Sequence, residues 1–173
     1  MTNWYVITGG PSSGKTTTVN LLKERGYATT IEDARHYIDL QRLGGRTVEE
    51  IRARQAEFQR NVLAIEIEQE GRLDPEQMVF LDRAIPDSLA YYRFLHLEPE
   101  PALLQALERV NYRKVFVLDL LPMVNDYART EDAAAQQQIH ELITDVYMAL
   151  PFPVVKVPPL EASARVDYIL ARL

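Results

Sequence analysis

Five short apolar segments are spaced along the chain, at residues 4–8, 27–31, 78–81, 114–118 and 153–157. They lack polar alternation, a pattern typical of strands that are covered on both faces of a sheet. Longer segments with helical periodicity separate them. Strands that alternate with helices favour a parallel sheet with right-handed crossovers. The sequence therefore predicts a three-layer α/β fold with five parallel strands, and we expect residues 1–173 to form a single domain.

The predicted helices carry apolar stripes, which we assign to the core. Residues 47–50 form a capping-box sequence, and the helix that begins there is expected to end near Gly71. Thr130 is a good N-cap for a second long helix, and the last helix is expected from about Glu161. The stripe residues of these three helices are Ile51, Phe58, Val62 and Ile65; Ile139, Leu142, Ile143, Val146, Tyr147 and Leu150; and Ala162, Val166, Ile169, Leu170 and Leu173.

A glycine-rich segment, GGPSSGKT, joins the first strand to the first helix and matches the P-loop pattern G-x-x-x-x-G-K-[ST] at every fixed position. Strand, glycine-rich turn and helix are the context that this motif requires. Backbone N–H groups of such a turn form an anion-binding concavity, and the helix N-terminus adds partial positive charge. A turn without a phosphate-binding role is the minor alternative. The predicted nucleotide-binding residues here are Gly9, Gly10, Pro11, Ser12, Ser13, Gly14, Lys15, Thr16 and Thr17.

Catalytic and metal-binding roles follow from this motif. Lys15 is expected to reach the β- and γ-phosphates, and the Thr16 hydroxyl to ligate Mg²⁺. Asp82 ends the third apolar segment, where a Walker-B carboxylate lies, and is predicted to hold Mg²⁺ with Thr16, directly or through water. A helix-capping aspartate is the alternative. Arg83 stands where motor ATPases usually have glutamate, which argues against a dedicated hydrolase and favours a kinase whose Arg83 contacts acceptor or phosphate.

Residues for a phosphoryl acceptor are predicted at the carboxyl edge of the sheet. Glu32 and Asp33 end the second strand; Glu32 is the candidate base for an acceptor hydroxyl, and Arg35 a candidate substrate contact. A solvated helix start is the alternative for both carboxylates. Phe58 and Asp87 complete the predicted acceptor pocket, although Asp87 is equally suited to cap the helix that follows it.

Two further positions are predicted around the nucleotide. Arg129 lies on the segment between the fourth strand and the next helix, where it is expected to close over the triphosphate as a lid and stabilise transition-state charge. A surface arginine at a helix start is the alternative. Pro158 follows the fifth strand and is expected to pack against adenine.

The composition argues against several kinds of binding and chemistry. The formal net charge is -6 and the pI about 5.1, so no basic stripe points to nucleic acid. Cysteine is absent, which excludes disulfides and thiolate chemistry. His36, His96 and His140 lack metal spacing and are interpreted as surface or helix residues. We recognise no signal segment and no membrane span, and expect a cytoplasmic protein that does not contact membranes.

Taken together, these segments resemble the small AAA-like P-loop ATPases grouped with the NadR nicotinamide riboside kinase domain. That resemblance implies a nucleoside-kinase-like fold with strand order 2-3-1-4-5, and ATP and Mg²⁺ as cofactors. It leaves the acceptor open, because activities in this group diverge. The segments that carry the resemblance are residues 9–16, 32–35, 80–83 with Asp87, 129–132, 157–158 and 165–170.

Two functions remain in competition. The first is an ATP-dependent kinase for a small hydroxyl-bearing metabolite, a nucleoside among the candidates. The second is a regulatory nucleotide-binding NTPase without a small-molecule acceptor. A GTPase switch is disfavoured because no Asn-Lys-x-Asp sequence occurs, and an AAA-type remodelling machine is disfavoured by the chain's length. An enclosed acceptor pocket near Glu32 would favour the kinase, and a flat apolar patch the regulator.

Overall fold

A parallel sheet forms the centre of the computed structural model, which describes residues 1–31, 44–121 and 133–173. In the described residues its strands lie in the order β2-β3-β1-β4-β5, and every neighbouring pair is parallel. This order confirms the prediction. The strands are β1 (Trp4–Thr8), β2 (Ala28–Thr29), β3 (Val79–Asp82), β4 (Lys114–Leu118) and β5 (Val154–Val157).

Helices cover both faces of the sheet, as the predicted three layers require. On one face α1 and α7 pack together, and on the other α4 packs against α6 and α3. The helices are α1 (Lys15–Glu24), α2 (Val48–Ala53), α3 (Gln55–Gly71), α4 (Ile85–Phe94), α5 (Pro101–Arg109), α6 (Ala133–Met148) and α7 (Ala162–Leu170). None of these helices is long and apolar enough to span a bilayer.

The central strands explain the continuous apolar segments of the sequence. Successive side chains of a strand point to opposite faces of the sheet. Val6 of β1 joins the core cluster that includes α4 and α6, whereas Tyr5 and Ile7 join the cluster formed with α1 and α7. Both faces of β1 are therefore buried, and a strand buried on both faces cannot alternate apolar with polar residues.

Two elements differ from the sequence prediction. The helix expected from residue 47 is two helices, because Arg54 leaves the helical region of the backbone with φ -102° and ψ 50°. Its capping box is present, with Thr47 accepting from Glu50 N–H and the Glu50 carboxylate accepting from Thr47 N–H. The second strand has only two residues, Ala28–Thr29. The cap predicted at Thr130 lies outside the described residues.

Register brings the functional segments to one edge of the sheet. Ile7 of β1 pairs with Asp82 of β3, and Thr8 pairs with Val117 of β4. Since the strands are parallel, their carboxyl ends meet at this edge, and ligands of open α/β sheets bind there. The loop between β1 and α1 begins at Gly9, two residues after the strand partner of Asp82.

Candidate nucleotide-binding site

The backbone of the P-loop, residues 9–16, requires glycine at its two fixed glycine positions. Gly9 has φ +151°, and a Cβ there would lie 2.7 Å from the Leu118 carbonyl oxygen. Gly14 has φ +80°, and a Cβ there would lie 2.8 Å from Leu121 Cδ1. Ser12 also adopts a left-handed conformation, with φ 62°. Left-handed residues alternating with right-handed ones turn successive N–H groups toward one side, which is the geometry of an anion cradle.

Lys15 and Asp82 form a buried ion pair at the start of α1. Lys15 Nζ lies 2.5 Å from Asp82 Oδ1, and the two side chains are 0% and 5% exposed. Asp82 is the last residue of β3, so the strand itself positions the carboxylate against the P-loop lysine. The residues predicted for phosphate and for metal are thus in direct contact.

A buried hydroxyl in the same loop has no hydrogen-bond partner among the described residues. Ser13 is fully buried, and its Oγ is one of the few buried polar atoms in the described part of the chain that lack a partner. An unsatisfied buried hydroxyl costs free energy unless a ligand or water supplies the missing bond. Its position within the cradle fits a ligand rich in hydrogen-bond acceptors, such as a phosphate.

Helix α6 contacts the loop from one side. Gly10 N–H donates to His140 Nδ1 at 3.1 Å, and Gln136 Nε2 donates to Ser12 Oγ at 3.3 Å. The helix approaches so closely that a Cβ at Gly10 would lie 2.8 Å from His140 Cβ. Burial lowers the pKa of His140, which favours the neutral ring that this bond requires. Sequence reasoning placed His140 on a helix but missed its contact with the loop.

Arg165 of α7 contacts the loop from another side. Its side chain is buried, and its guanidinium donates to three backbone carbonyls, those of Ser13, Asp119 and Pro158. Burial lowers the pKa of Arg165. Sequence reasoning gave this arginine no role of its own. The signal was available, because residue 165 lies among Ala162, Val166 and Ile169 on the apolar stripe of the last helix.

Asp87 is fixed by three donors. Thr8 Oγ1 donates to one carboxylate oxygen, and Ala84 N–H (3.1 Å) and Tyr147 OH (2.5 Å) donate to the other. The bond from Ala84 N–H caps the start of α4. Because the side chain is buried and its oxygens are engaged, the geometry supports the capping interpretation of Asp87 more than the substrate interpretation.

Arg83 follows Asp82 and is one of the residues predicted for the acceptor pocket. Its backbone adopts an uncommon conformation. Its φ is 65°, in the left-handed region, and its N–H donates to the Ile7 carbonyl at 3.0 Å. The guanidinium carbon lies 5.1 Å from the centre of the Tyr91 ring, within the range of a cation–π contact. The side chain is 8% exposed, so the cation lies at the sheet edge with little access to water.

The remaining predicted residues are placed as follows. Phe58 packs into an apolar cluster of α2 and α3 with Val48, Ile51 and Val62. Thr17 is an exposed residue of α1. Pro158 follows β5, and Arg165 binds its carbonyl. The described residues do not include the predicted site residues Glu32, Asp33, Arg35 and Arg129, nor His36.

The donor set around Asp82 is appropriate for magnesium that arrives with a nucleotide. Within residues 1–31, 44–121 and 133–173, no group of three or more histidine, cysteine or acidic residues could hold a metal. Mg²⁺, however, is usually bound through one or two carboxylates, substrate phosphates and water. Asp82, with Thr16 one position after the P-loop lysine, provides a set of that kind.

A second group of buried polar residues lies around the start of α4. The Glu70 carboxylate accepts from Tyr112 OH at 2.9 Å and from Ile85 N–H at 3.2 Å. Ser88 Oγ donates to Glu66 at 2.9 Å. Burial raises the pKa of Glu70 to about 7, and these hydrogen bonds offset only part of that effect.

Solved structures with the same fold include a deoxyadenosine kinase and NadR in complex with NR. Deoxyadenosine kinase from M. mycoides, with dCMP and dCDP bound, matches with a TM-score of 0.69 and 13% identity, over 98% of this chain and 97% of that chain. The same kinase with dATP bound gives a TM-score of 0.66 at 13% identity, with the same coverage. NadR in complex with NR gives 0.65 at 19% identity, over 89% of this chain and 43% of that chain. At these identities the likeness shows the fold.

Sequence comparison gives the family. No curated protein sequence matches this chain. The family described as an AAA domain matches residues 4–165, from the first strand to the buried arginine of α7. This range includes the P-loop, Asp82 and the whole sheet. The chain therefore belongs to this AAA domain family, and its fold is that of the P-loop nucleoside kinases.

Proposed function

We propose that this protein is an ATP- and Mg²⁺-dependent phosphotransferase whose acceptor is a small hydroxyl-bearing metabolite, with a nucleoside as the first candidate. The observation that carries the proposal is the buried contact between Lys15 and Asp82 beneath a complete P-loop. The fold shared with deoxyadenosine kinase and NadR supports the same reaction class. A residue other than glutamate after Asp82 favours transfer over dedicated hydrolysis.

The P-loop residues would bind the nucleotide. Backbone N–H groups of the cradle and Ser13 Oγ would bond phosphate oxygens, and Lys15 would pair with the β- and γ-phosphates. A phosphate therefore competes with Asp82 for the Lys15 ammonium. Arg129 would close over the triphosphate, and Pro158 would pack against the base.

The ion pair also prepares the metal position. When phosphate pairs with Lys15 in place of Asp82, the Asp82 carboxylate would be available to hold Mg²⁺ together with Thr16. Bound there, Mg²⁺ would neutralise charge on the β- and γ-phosphates. Lys15 would then pair with phosphate and Asp82 with Mg²⁺, so neither buried charge would be left unpaired.

The acceptor would lie across the cleft from the phosphates. Glu32 would take the proton of the attacking hydroxyl, and Arg35, Phe58 and Arg83 would orient the acceptor. Asp87 would contribute indirectly, because it fixes Thr8 before the P-loop and the start of α4 after Arg83.

The test is ADP formation from ATP and Mg²⁺ against a panel of nucleosides and vitamins. One acceptor class should stimulate ADP formation, and E32Q should lower the stimulated rate by about 10²–10⁴-fold with little change in ATP affinity. E68Q is the matched control, since Glu68 is an exposed residue of α3 paired with Arg72. Turnover that no acceptor stimulates would favour the regulatory NTPase instead.

A further inference from the structure

We propose that Arg165 is a positioning residue of the phosphate cradle. Its guanidinium fixes the peptide between Ser13 and Gly14, so that Gly14 N–H faces the phosphates, and it places a permanent positive charge behind the loop. This inference rests on the proposed function of the P-loop, and goes beyond it by assigning a role to a residue of the last helix that lies 150 positions away from Lys15 in the sequence.

The contacts of Arg165 join three segments of the cleft. It binds the Ser13 carbonyl in the P-loop, the Asp119 carbonyl after β4 at 2.6 Å, and the Pro158 carbonyl after β5 at 3.0 Å. A planar guanidinium presents donors in a rigid fork, so the three carbonyls are held in one fixed arrangement. The P-loop is therefore tied to the carboxyl ends of β4 and β5.

The contact between Arg165 and the Ser13 carbonyl also fixes the direction of the Gly14 N–H. In a trans peptide the C=O of one residue and the N–H of the next lie in one plane and point in opposite directions. No cis peptide occurs in the described ranges of the chain. Because the Ser13 carbonyl points at Arg165, the N–H of Gly14 points away from it. Gly14 also has the left-handed φ of +80°, and a Cβ there would lie 3.1 Å from Arg165 Nη1.

The charge of Arg165 is also unusual. Its side chain is 1% exposed, and its hydrogen-bond acceptors among the described residues are neutral carbonyls rather than a carboxylate. Burial of the cation is costly and lowers the pKa of Arg165, an effect that the nearby Asp119 carboxylate offsets only in part. A polyphosphate bound in the cradle would add negative charge near this buried guanidinium.

The experiment compares two ligands and two substitutions. MgATP and inorganic tripolyphosphate are titrated by calorimetry into the wild type, R165K and R165M, with circular dichroism to check folding. Tripolyphosphate has no base, so it reports on the cradle alone. R25M is the matched control, because Arg25 joins α1 to α7 at the surface through Asp167 and Ser163 without contacting the P-loop.

R165M is expected to weaken both ligands by about 10- to 100-fold, the range for losing hydrogen bonds from a charged group. R165K keeps the charge but loses the planar three-way contact, so its loss should be smaller but clear for both ligands. R25M should bind both ligands as the wild type does.

Three results would overturn the proposal. One is folded R165M or R165K that binds tripolyphosphate like the wild type. Another is a loss confined to MgATP, which would assign Arg165 to the base side of the cleft. The third is an equal loss in R25M. If R165M does not fold, R165K alone decides between these outcomes. A wild type that binds neither ligand would instead refute the proposed function itself, whatever the variants do.

Discussion

The P-loop and the start of α4 both bury charge, but they bury opposite signs and satisfy them differently. At the P-loop, Lys15 pairs with the Asp82 carboxylate, and Arg165 donates to three backbone carbonyls. Around α4 the carboxylates Glu70 and Asp87 receive hydroxyl and backbone N–H donors, and neither pairs with a cation in the described parts of the chain.

This difference separates a binding region from a scaffold. The carboxylates around α4 have their hydrogen bonds already, so they hold helices and strands together without a ligand. At the P-loop, two buried cations lie against the cradle, and the buried Ser13 hydroxyl has no hydrogen-bond partner among the described residues. An anionic ligand would complete the first region but has no place in the second.

The variant K15M should have the largest effect, because it removes one of the buried cations of the P-loop. Loss of the ammonium should lower triphosphate affinity by at least about 100-fold and, because it leaves Asp82 buried without its cation, lower the free energy of unfolding by ~3–5 kcal/mol. The Lys15 side chain is completely buried, and its ion pair joins α1 to β3, so the lysine contributes to folding as well as to binding. Calorimetry with MgATP and urea unfolding measure the two effects.

The double variant K15M/D82N separates the two effects. It removes both charges, so it should recover much of the lost stability while triphosphate binding stays lost. If K15M binds MgATP like the wild type, the P-loop interpretation is wrong. If K15M is as stable as the wild type, the ion pair contributes nothing to folding.

The buried carboxyl group of Glu70 should make the free energy of unfolding depend on pH. The pKa of Glu70 is raised to about 7 from 4.5, so in the folded protein its neutral form is favoured. The associated stability is complete below about pH 4.5 and is lost as the pH rises through 7, by about 3 kcal/mol. E70Q cannot ionise, so its free energy of unfolding relative to the wild type should rise by that amount between pH 4.5 and 8. Urea unfolding at both pH values measures it.

The exposed Glu68 again provides the control, because E68Q should follow the wild type at both pH values. Parallel profiles of E70Q and the wild type would mean that Glu70 ionises in the folded protein as easily as in the unfolded chain. The contrast between the two buried regions would then be one of charge sign only.

The variant D82N tests whether Asp82 binds the metal at the P-loop. Replacing a hard anionic oxygen ligand should weaken Mg²⁺-dependent turnover by about 10- to 100-fold. Metal-free ATP affinity should hold or increase, because Lys15 is released from its ion pair. A Mg²⁺ titration of turnover beside a metal-free binding titration checks this. An equal fall in both would make Asp82 a structural residue and remove it from the metal site.

The sequence predicts the sheet and the P-loop because both are local patterns. Continuous apolar segments mark strands buried on two faces, and the glycine positions are required by backbone geometry. The break at Arg54 could not be predicted, because the apolar stripe continues across it and tertiary packing decides the backbone there. That residues 1–173 form one domain and that the protein is cytoplasmic both stay predictions.

The buried polar residues were harder to find, although a common signal marks them. Arg165 interrupts the apolar stripe of α7, and Glu66 and Glu70 continue the helical spacing of Phe58 and Val62 along α3. A charged residue on a buried stripe must have partners. The sequence cannot say which partners they are, because the Ser13 carbonyl and Tyr112 OH come from distant parts of the chain.

The most direct test of the central claim follows the γ-phosphate. The protein is incubated with Mg²⁺, the acceptor selected by the panel and ATP labelled at the γ-phosphate, and mass spectrometry locates the label. We predict that most of the label is found on the acceptor hydroxyl and little in inorganic phosphate, and that E32Q loses the labelled acceptor but still binds ATP. Label found only in inorganic phosphate, at a rate that no acceptor changes, would contradict the assignment of this protein as a phosphotransferase.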